Sequence, residues 1–209
     1  MSVAALSLLL AAAPAPKDWV EDRIEEARAL ANRPAKSGTE AGEAWRADAD
    51  GLIQQAIDWD RMVSASLGRR RWSELSEPQK KAFGKLLRSL IEASYRSKLR
   101  LALEKKEERE GDLRIEWLEE SVEEDEAELE ALVHTRGRSI GLVFHLVRTP
   151  EAWKMWDLET NGMSTVRTYK SEFREQIRNG GWEGLMGRLR AKLEEVESGK
   201  GEFIPSADR

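Results

Sequence analysis

The chain of 209 residues contains no cysteine. This absence excludes a disulfide framework, a thiol nucleophile, a zinc–thiolate site and a lipid anchor attached to cysteine. Histidine is scarce, with two residues, and 34 Lys and Arg face 39 Asp and Glu, which gives a formal net charge of −5. Because a negative protein repels phosphate backbones, nucleic-acid binding is not expected.

Long apolar runs are also missing, since no segment reaches the roughly 20 apolar residues that a membrane-spanning helix needs. Residues 3–13 form a run of signal-peptide length, followed by Ala13, Pro14 and Ala15. No basic segment precedes the run, so an amino-terminal helix packed on the domain is the alternative interpretation. We expect a signal peptide over residues 1–15, a single domain over residues 16–199 and a disordered tail over residues 200–209. The single domain follows from the chain length.

Catalytic motifs are absent too: the sequence contains no G-x-S-x-G, no Walker loop and no dinucleotide fingerprint. His134 and His145 lack a partner at metal-ligand spacing, which makes them a weak signal for a metal or for acid–base chemistry. The sequence therefore predicts no catalytic residue, no metal site and no cofactor.

Asp157 stands between Trp156 and Leu158 in an apolar strand, where a carboxylate needs a partner. It could cap the helix that begins after Ser164, or it could pair with Arg167 or Lys170. A catalytic Asp157 would instead need a base or a nucleophile beside it.

Helical spacing of apolar residues predicts a helix over residues 18–31 and a second helical region between Trp45 and Gly68. The polar residues 32–43 are expected to form a linker, and the run Arg69 to Arg71 is expected to form a solvated loop. Ser76 to Gln79 has the form of a capping box and predicts a long helix after it. Two further helices are expected over residues 164–179 and 182–197, separated by Gly180 and Gly181.

Residues 126–134 alternate between apolar and acidic side chains, which is typical of a strand with one solvated face. Residues 115–122, 140–147 and 153–160 are also expected to be strands, and Asn161-Gly162 predicts a tight turn. Because the connections are short, the pattern indicates an antiparallel meander of about four strands in an α+β fold.

Two sequence blocks resemble the MlaC family of periplasmic phospholipid-binding proteins, also called toluene-tolerance or Ttg2-type proteins. The first block consists of Trp153, Asp157, Gly162, Ser164, Tyr169 and Phe173 at fixed spacing. The second comprises an aspartate-led helix from Ile57 to Gly68, then Trp72, Gln79 before Phe83, and Tyr95 before Leu99. Together with the strands between them, the blocks cover roughly residues 52–193.

The resemblance implies a small antiparallel sheet wrapped by helices around an apolar cavity that holds phospholipid acyl chains. It implies a monomeric periplasmic shuttle that maintains outer-membrane lipid asymmetry and has no enzymatic activity. Such a protein would exchange phospholipid with an outer-membrane lipoprotein complex and with the substrate-binding subunit of an inner-membrane ABC transporter. Two alternatives stay open: an α+β enzyme with a cavity, and an interaction module with no cavity. His134 or His145 beside Asp157 in a pocket would favour the enzyme.

On this interpretation the cavity would be lined by apolar side chains on the inward faces of the helices and strands. The same side chains could equally form a solid core. The candidate lipid-binding residues are Phe83, Leu87, Leu90, Ile91, Val133, Leu142, Phe144, Trp156, Leu158, Val166, Tyr169, Phe173 and Leu185.

Overall fold

A computed structural model describes residues 14–33, 38–104, 114–135, 137–199 and 203, with the backbone alone for 99–104 and 135. The signal peptide expected over residues 1–15 and the tail expected over 200–209 therefore lie mostly outside the described residues. The chain forms helices and one antiparallel sheet, which confirms the α+β class. The elements in chain order are α1 Pro16–Asn32, α2 Glu40–Ala56, α3 Trp59–Leu67, α4 Arg69–Glu74, α5 Glu77–Glu104, β1 Arg114–Glu123, β2 Glu126–Thr135, β3 Arg138–Arg148, β4 Trp153–Thr160, β5 Met163–Ser164 and α6 Thr165–Glu197.

The strands lie in the order β1-β2-β3-β4-β5, so each strand pairs with its neighbour in sequence. The expected Asn161-Gly162 turn joins β4 to β5, with φ angles of 49° and 78° that suit these two residues. The sheet has five strands rather than about four because the two residues before α6 add a short β5.

The two faces of the sheet differ in chemistry. Cross-strand pairs place Leu129 beside Phe144 and Phe144 beside Leu158, on what we call the apolar face. The opposite surface, which we call the charged face, carries Glu128 beside His145. This division follows from the alternation of side chains along each strand.

One half of the apolar face packs against α1. Trp153 is completely buried there and contacts a cluster that includes Trp19, Val20 and Leu146. The Trp153 indole donates a hydrogen bond of 2.9 Å to the carbonyl oxygen of Pro14. The amino-terminal helix thus covers the sheet at the end where β3 turns into β4.

A second and larger apolar cluster lies between α3, α5 and α6. Phe83 of α5 lies at its centre, with its ring edge-on to Phe173 of α6 at 5.7 Å between centroids. Phe203 stacks on Tyr169 at 4.7 Å on the border of this cluster. The three helices therefore form a packed core beside the β4 edge of the sheet.

The helix boundaries correct two expectations and refine a third, the second helical region. Arg69 to Arg71 begin a short helix, α4, rather than a solvated loop. The second helical region is divided into α2 and α3, because the Asp58 side chain accepts a hydrogen bond from the Arg61 N–H and starts a new helix. Helix α2 also begins at Glu40, inside the expected linker, with Thr39 as its cap.

The two helices expected at the carboxyl end are confirmed, because α6 consists of two helical segments that meet at a kink at Gly181, where φ is 65° and ψ is −168°. Non-glycine residues almost never adopt this conformation. Neither Gly180 nor Gly181 has an atom within 4 Å of the position where a Cβ would stand. A methyl group therefore fits at both positions without a steric clash, and only the backbone conformation differs between them.

We predict that Gly181→Ala destabilises the protein by roughly 2 kcal/mol, because alanine is strained at this φ and ψ. Gly180→Ala is the matched control, and it should be neutral or stabilising by about 0.5–1 kcal/mol because helical alanine is favoured over glycine. Urea unfolding followed by circular dichroism measures both changes. Equal effects of the two substitutions would contradict the assignment of the kink to Gly181.

Candidate functional site

Asp157 is 3% exposed and fixes the junction between β4 and α6. Its Oδ1 accepts hydrogen bonds from the N–H groups of Leu158 and Val166, at 2.9 and 3.0 Å. Its Oδ2 accepts a 2.5 Å hydrogen bond from the hydroxyl of Ser164, the residue that caps α6. The structure therefore confirms the helix-capping interpretation of Asp157.

A cleft of about 580 Å³ opens on the charged face of the sheet, between α3, α4 and the start of α6. Basic, acidic and aromatic side chains share its walls, and we call it the charged cleft. Its lining residues are Arg61, Ser64, Ala65, Gly68, Arg69, Trp72, Glu128, His145, Trp156, Asp157, Glu159, Ser164, Val166, Arg167 and Lys170.

His145 lies between two carboxylates in this cleft. Its Nδ1 is 3.1 Å from Glu128 Oε1 on β2, and its Nε2 is 3.0 Å from Glu159 Oε1 on β4. Glu159 also pairs with Arg167 at 3.0 Å. The His145 ring lies against the Trp156 ring, with 5.5 Å between the centroids. Three neighbouring strands and α6 thus meet in one network of charged side chains.

Two further cations border the cleft through aliphatic and aromatic contacts. The Arg61 guanidinium lies 4.4 Å above the Trp156 ring and pairs with Glu126 at 2.8 Å. The Lys170 side chain crosses Gly68, where its Cε lies 3.0 Å from the position that a Cβ would take. Gly68 therefore provides both a positive φ of 86° and the space for Lys170.

The only two tyrosines of the chain lie near Asp157. Burial raises the pKa of Tyr95 to about 12, and the negative charge of Asp157 adds to the rise. Burial also raises the pKa of Tyr169 well above 10.0, with smaller contributions from Tyr95, Glu172 and Asp157. Both phenols are therefore neutral at physiological pH.

The structure brings most of the candidate lipid-binding residues together in the helical core. Trp156 packs against this core from the sheet, and it also lines the charged cleft, as does Val166. Whether these side chains touch a lipid stays a prediction. The buried members of the core among the candidates are Phe83, Leu87, Leu90, Ile91, Val166, Tyr169, Phe173 and Leu185.

The other candidates lie on the apolar face of the sheet. Phe144 packs beside Trp117, with 6.1 Å between ring centroids, at the border of the cluster under α1. Val133, Leu142 and Leu158 are partly buried and belong to none of the three core clusters formed by the described residues. This half of the apolar face is therefore less filled than the half under α1.

His145 lies beside Asp157 in the charged cleft, which is the arrangement that would favour an enzyme. Asp157, however, accepts two hydrogen bonds from Ser164 and Val166 at the start of α6 and a third from the N–H of Leu158 on β4. Ser164 donates its hydroxyl proton to Asp157 and not to a base. Within the described part of the chain, this pair forms a helix cap and not a nucleophile with its base.

Sequence reasoning missed the charged cleft, including Glu128, Glu159 and the cations around them. The one available signal was the strand register, because pairing β3 with β4 places His145 opposite Asp157. That register includes a bulge next to His145, which simple alternation does not predict.

The fold is that of an α+β domain in which helices cover one antiparallel sheet. Residues 22–191 match the family model described as MlaC protein, and the chain belongs to the MlaC family, as the resemblance indicated. A solved phospholipid-binding protein from Ralstonia solanacearum, in complex with a phospholipid, has a similar fold, with a TM-score of 0.66 at 19% sequence identity. The match covers 85% of this chain and 96% of that chain. No curated protein gives a significant match.

No helix in the described ranges combines the length and the apolar character needed to cross a bilayer.

We predict that Asp157→Ala lowers the free energy of unfolding by roughly 3 kcal/mol, because it leaves the Ser164 hydroxyl and the Val166 N–H without their acceptor. Asp22→Ala on the exposed side of α1 is the control, with an expected change within about 0.5 kcal/mol. The midpoint of urea unfolding measures both variants. A stable Asp157→Ala protein would show that the cap contributes little.

The raised tyrosine pKa values predict how the protein responds to alkali. Each tyrosine favours the folded state fully below pH 10.0, its usual pKa, and this contribution is lost as the pH rises through the raised pKa of the folded state, which is about 12 for Tyr95. At pH 10 the folded chain should show almost no tyrosinate absorbance, whereas the urea-unfolded chain should be about half ionised. Half-ionised tyrosines in the folded chain at pH 10 would contradict the burial. In Tyr95→Phe the remaining tyrosinate absorbance comes from Tyr169 alone, so the difference from the wild type gives the absorbance of Tyr95.

Proposed function

We propose that this protein is a periplasmic phospholipid carrier that moves lipid between the outer and inner membranes. Membership of the MlaC family over residues 22–191 carries this proposal. The fold shared with a protein solved in complex with a phospholipid supports it.

The apolar face of the sheet supports an acyl-chain site. Leu142 and Leu158 point away from the charged face, towards the side that α1 and α2 cover. Ile140 lies opposite Val133 on the same face and is also partly buried. These aliphatic side chains are only partly buried, whereas Trp153 and Leu146 are completely buried. We propose that an acyl chain occupies this region and extends towards the candidate residues of the helical core.

The free energy of lipid transfer favours an apolar lining that does not bind the lipid head group strongly. A chain of about 14 methylenes gains roughly 11 kcal/mol on leaving water. A bilayer already supplies this free energy, so a carrier needs only to match the membrane interior. Net transfer is then nearly neutral, and docking to a partner can set its direction.

The partners would be an outer-membrane lipoprotein complex and the substrate-binding subunit of an inner-membrane ABC transporter. The carrier would act as a monomer, without enzymatic activity, and would preserve outer-membrane lipid asymmetry. Export would use residues 1–15 as a signal peptide. Fractionation of the expressing bacterium tests this directly, because the intact mass of the periplasmic protein reports whether the chain is cut and where the cut lies relative to Pro14.

Native mass spectrometry of the periplasmic protein tests the binding. We expect a bound mass equal to a phospholipid in the wild type and a reduction of roughly tenfold or more in Leu142→Glu. Burying a carboxylate among apolar groups costs several kcal/mol, and each 1.4 kcal/mol is about tenfold in affinity. Leu118→Glu is the matched control, since Leu118 is 52% exposed on β1 and should keep its lipid.

Leu142→Trp provides a second variant, which fills space without adding charge and should also reduce bound lipid. Circular dichroism and thermal unfolding establish that each variant is folded. A wild-type protein without lipid under gentle ionisation would refute the carrier. Unchanged lipid in both Leu142 variants would refute this position of the acyl chain while leaving the carrier intact.

A further inference from the structure

His145, Asp157 and Glu159 form a cluster of possible metal ligands at the base of the charged cleft. One ligand atom from each residue can be chosen so that all three lie within 4.8 Å of one another. We propose that these three side chains bind a divalent transition-metal ion of the Zn²⁺ type. His145 and Glu159 lie on the opposite face of the sheet from Leu142, so substitutions at these ligands test the metal separately from the acyl-chain position.

Glu128 orients the histidine for this role. Its carboxylate is 3.1 Å from His145 Nδ1 and can accept the ring proton there, so Nε2 can bind a metal once the metal displaces its hydrogen bond to Glu159. A carboxylate on the far nitrogen is the usual support of a metal-binding histidine. Nε2 faces Glu159, a second ligand, at 3.0 Å. Tetrahedral zinc with bonds of about 2.0–2.1 Å separates its ligands by about 3.3 Å, so small side-chain movements suffice.

Asp157 has capacity for a fourth bond, to the metal, in addition to the three hydrogen bonds that it accepts. A carboxylate offers about four lone-pair sites, and the cap uses one for each of three donors. Because the cap fixes Asp157 in one orientation, this ligand is already in place. The fourth position would face the open cleft and remain available to water or to a group from a partner.

The charges balance. Asp157 and Glu159 carry two negative charges, which match a divalent cation bound with a neutral histidine. Arg167 currently pairs with Glu159 at 3.0 Å, and its side chain is 67% exposed, so it can move into solvent when the metal binds. Arg167 is therefore a competitor for Glu159. An imidazole ligand also discriminates against Mg²⁺, which prefers oxygen ligands and keeps its waters.

The test is a calorimetric titration of Zn²⁺ into the chelator-treated full chain, together with thermal unfolding. We expect one Zn²⁺ per chain, a rise in the unfolding temperature and no comparable response to Mg²⁺. His145→Ala should abolish binding. Glu159→Gln and Glu128→Gln should each weaken it by about tenfold or more, the first as a ligand and the second through the orientation of the ring.

His134→Ala is the matched control, because His134 on β2 bonds Glu116 and Ser139, both at 2.9 Å, outside the cluster. It should bind Zn²⁺ as the wild type does. Arg167→Ala should bind more tightly than the wild type, whereas Arg174→Ala, which removes the same charge elsewhere on α6, should not.

Three results would overturn the site: no Zn²⁺ binding by the wild type, equal binding of Mg²⁺, or Zn²⁺ binding retained by a folded His145→Ala protein. If His145→Ala does not fold, the other variants decide. The site would be overturned if Glu159→Gln kept its affinity for Zn²⁺ while His134→Ala lost it.

Discussion

The buried carboxylate of Asp157 joins the sheet to the long carboxyl-terminal helix, and both candidate sites depend on this junction. It accepts hydrogen bonds from both the backbone and the cap residue of α6, and an unpaired charge at this depth would be strongly destabilising. The junction holds the end of β4 in place. Because side chains alternate along this strand, Glu159 and Leu158 then point to opposite faces.

The sheet therefore separates two kinds of chemistry. Leu142 and Leu158 lie on the apolar face, where the paired residues Leu129 and Phe144 are also apolar. His145 and Glu159 lie on the charged face, where they bond to each other beside an open cleft.

The sequence predicted the strands well because alternation and the Asn161-Gly162 turn are local signals. It failed where a helix buries little: α4 has no buried residue, so the run Arg69 to Arg71 showed no apolar periodicity. The first turn of α2 is polar and exposed for the same reason. The charged cleft was beyond sequence reasoning, because it assembles α3, α6 and three strands through a register that includes a bulge.

A carrier of the proposed kind also has to remain folded while part of its interior awaits a ligand. An empty hollow of about 400 Å³ would cost roughly 10 kcal/mol, which is comparable to the whole stability of a typical domain. A bound acyl chain would supply the missing contacts and act as part of the core. The solid cluster around Phe83 and the Asp157 junction lie outside the partly filled half of the apolar face. They can hold the sheet and helices together while lipid enters and leaves, because the side chains around Phe83 are buried among themselves and do not depend on a ligand for their contacts.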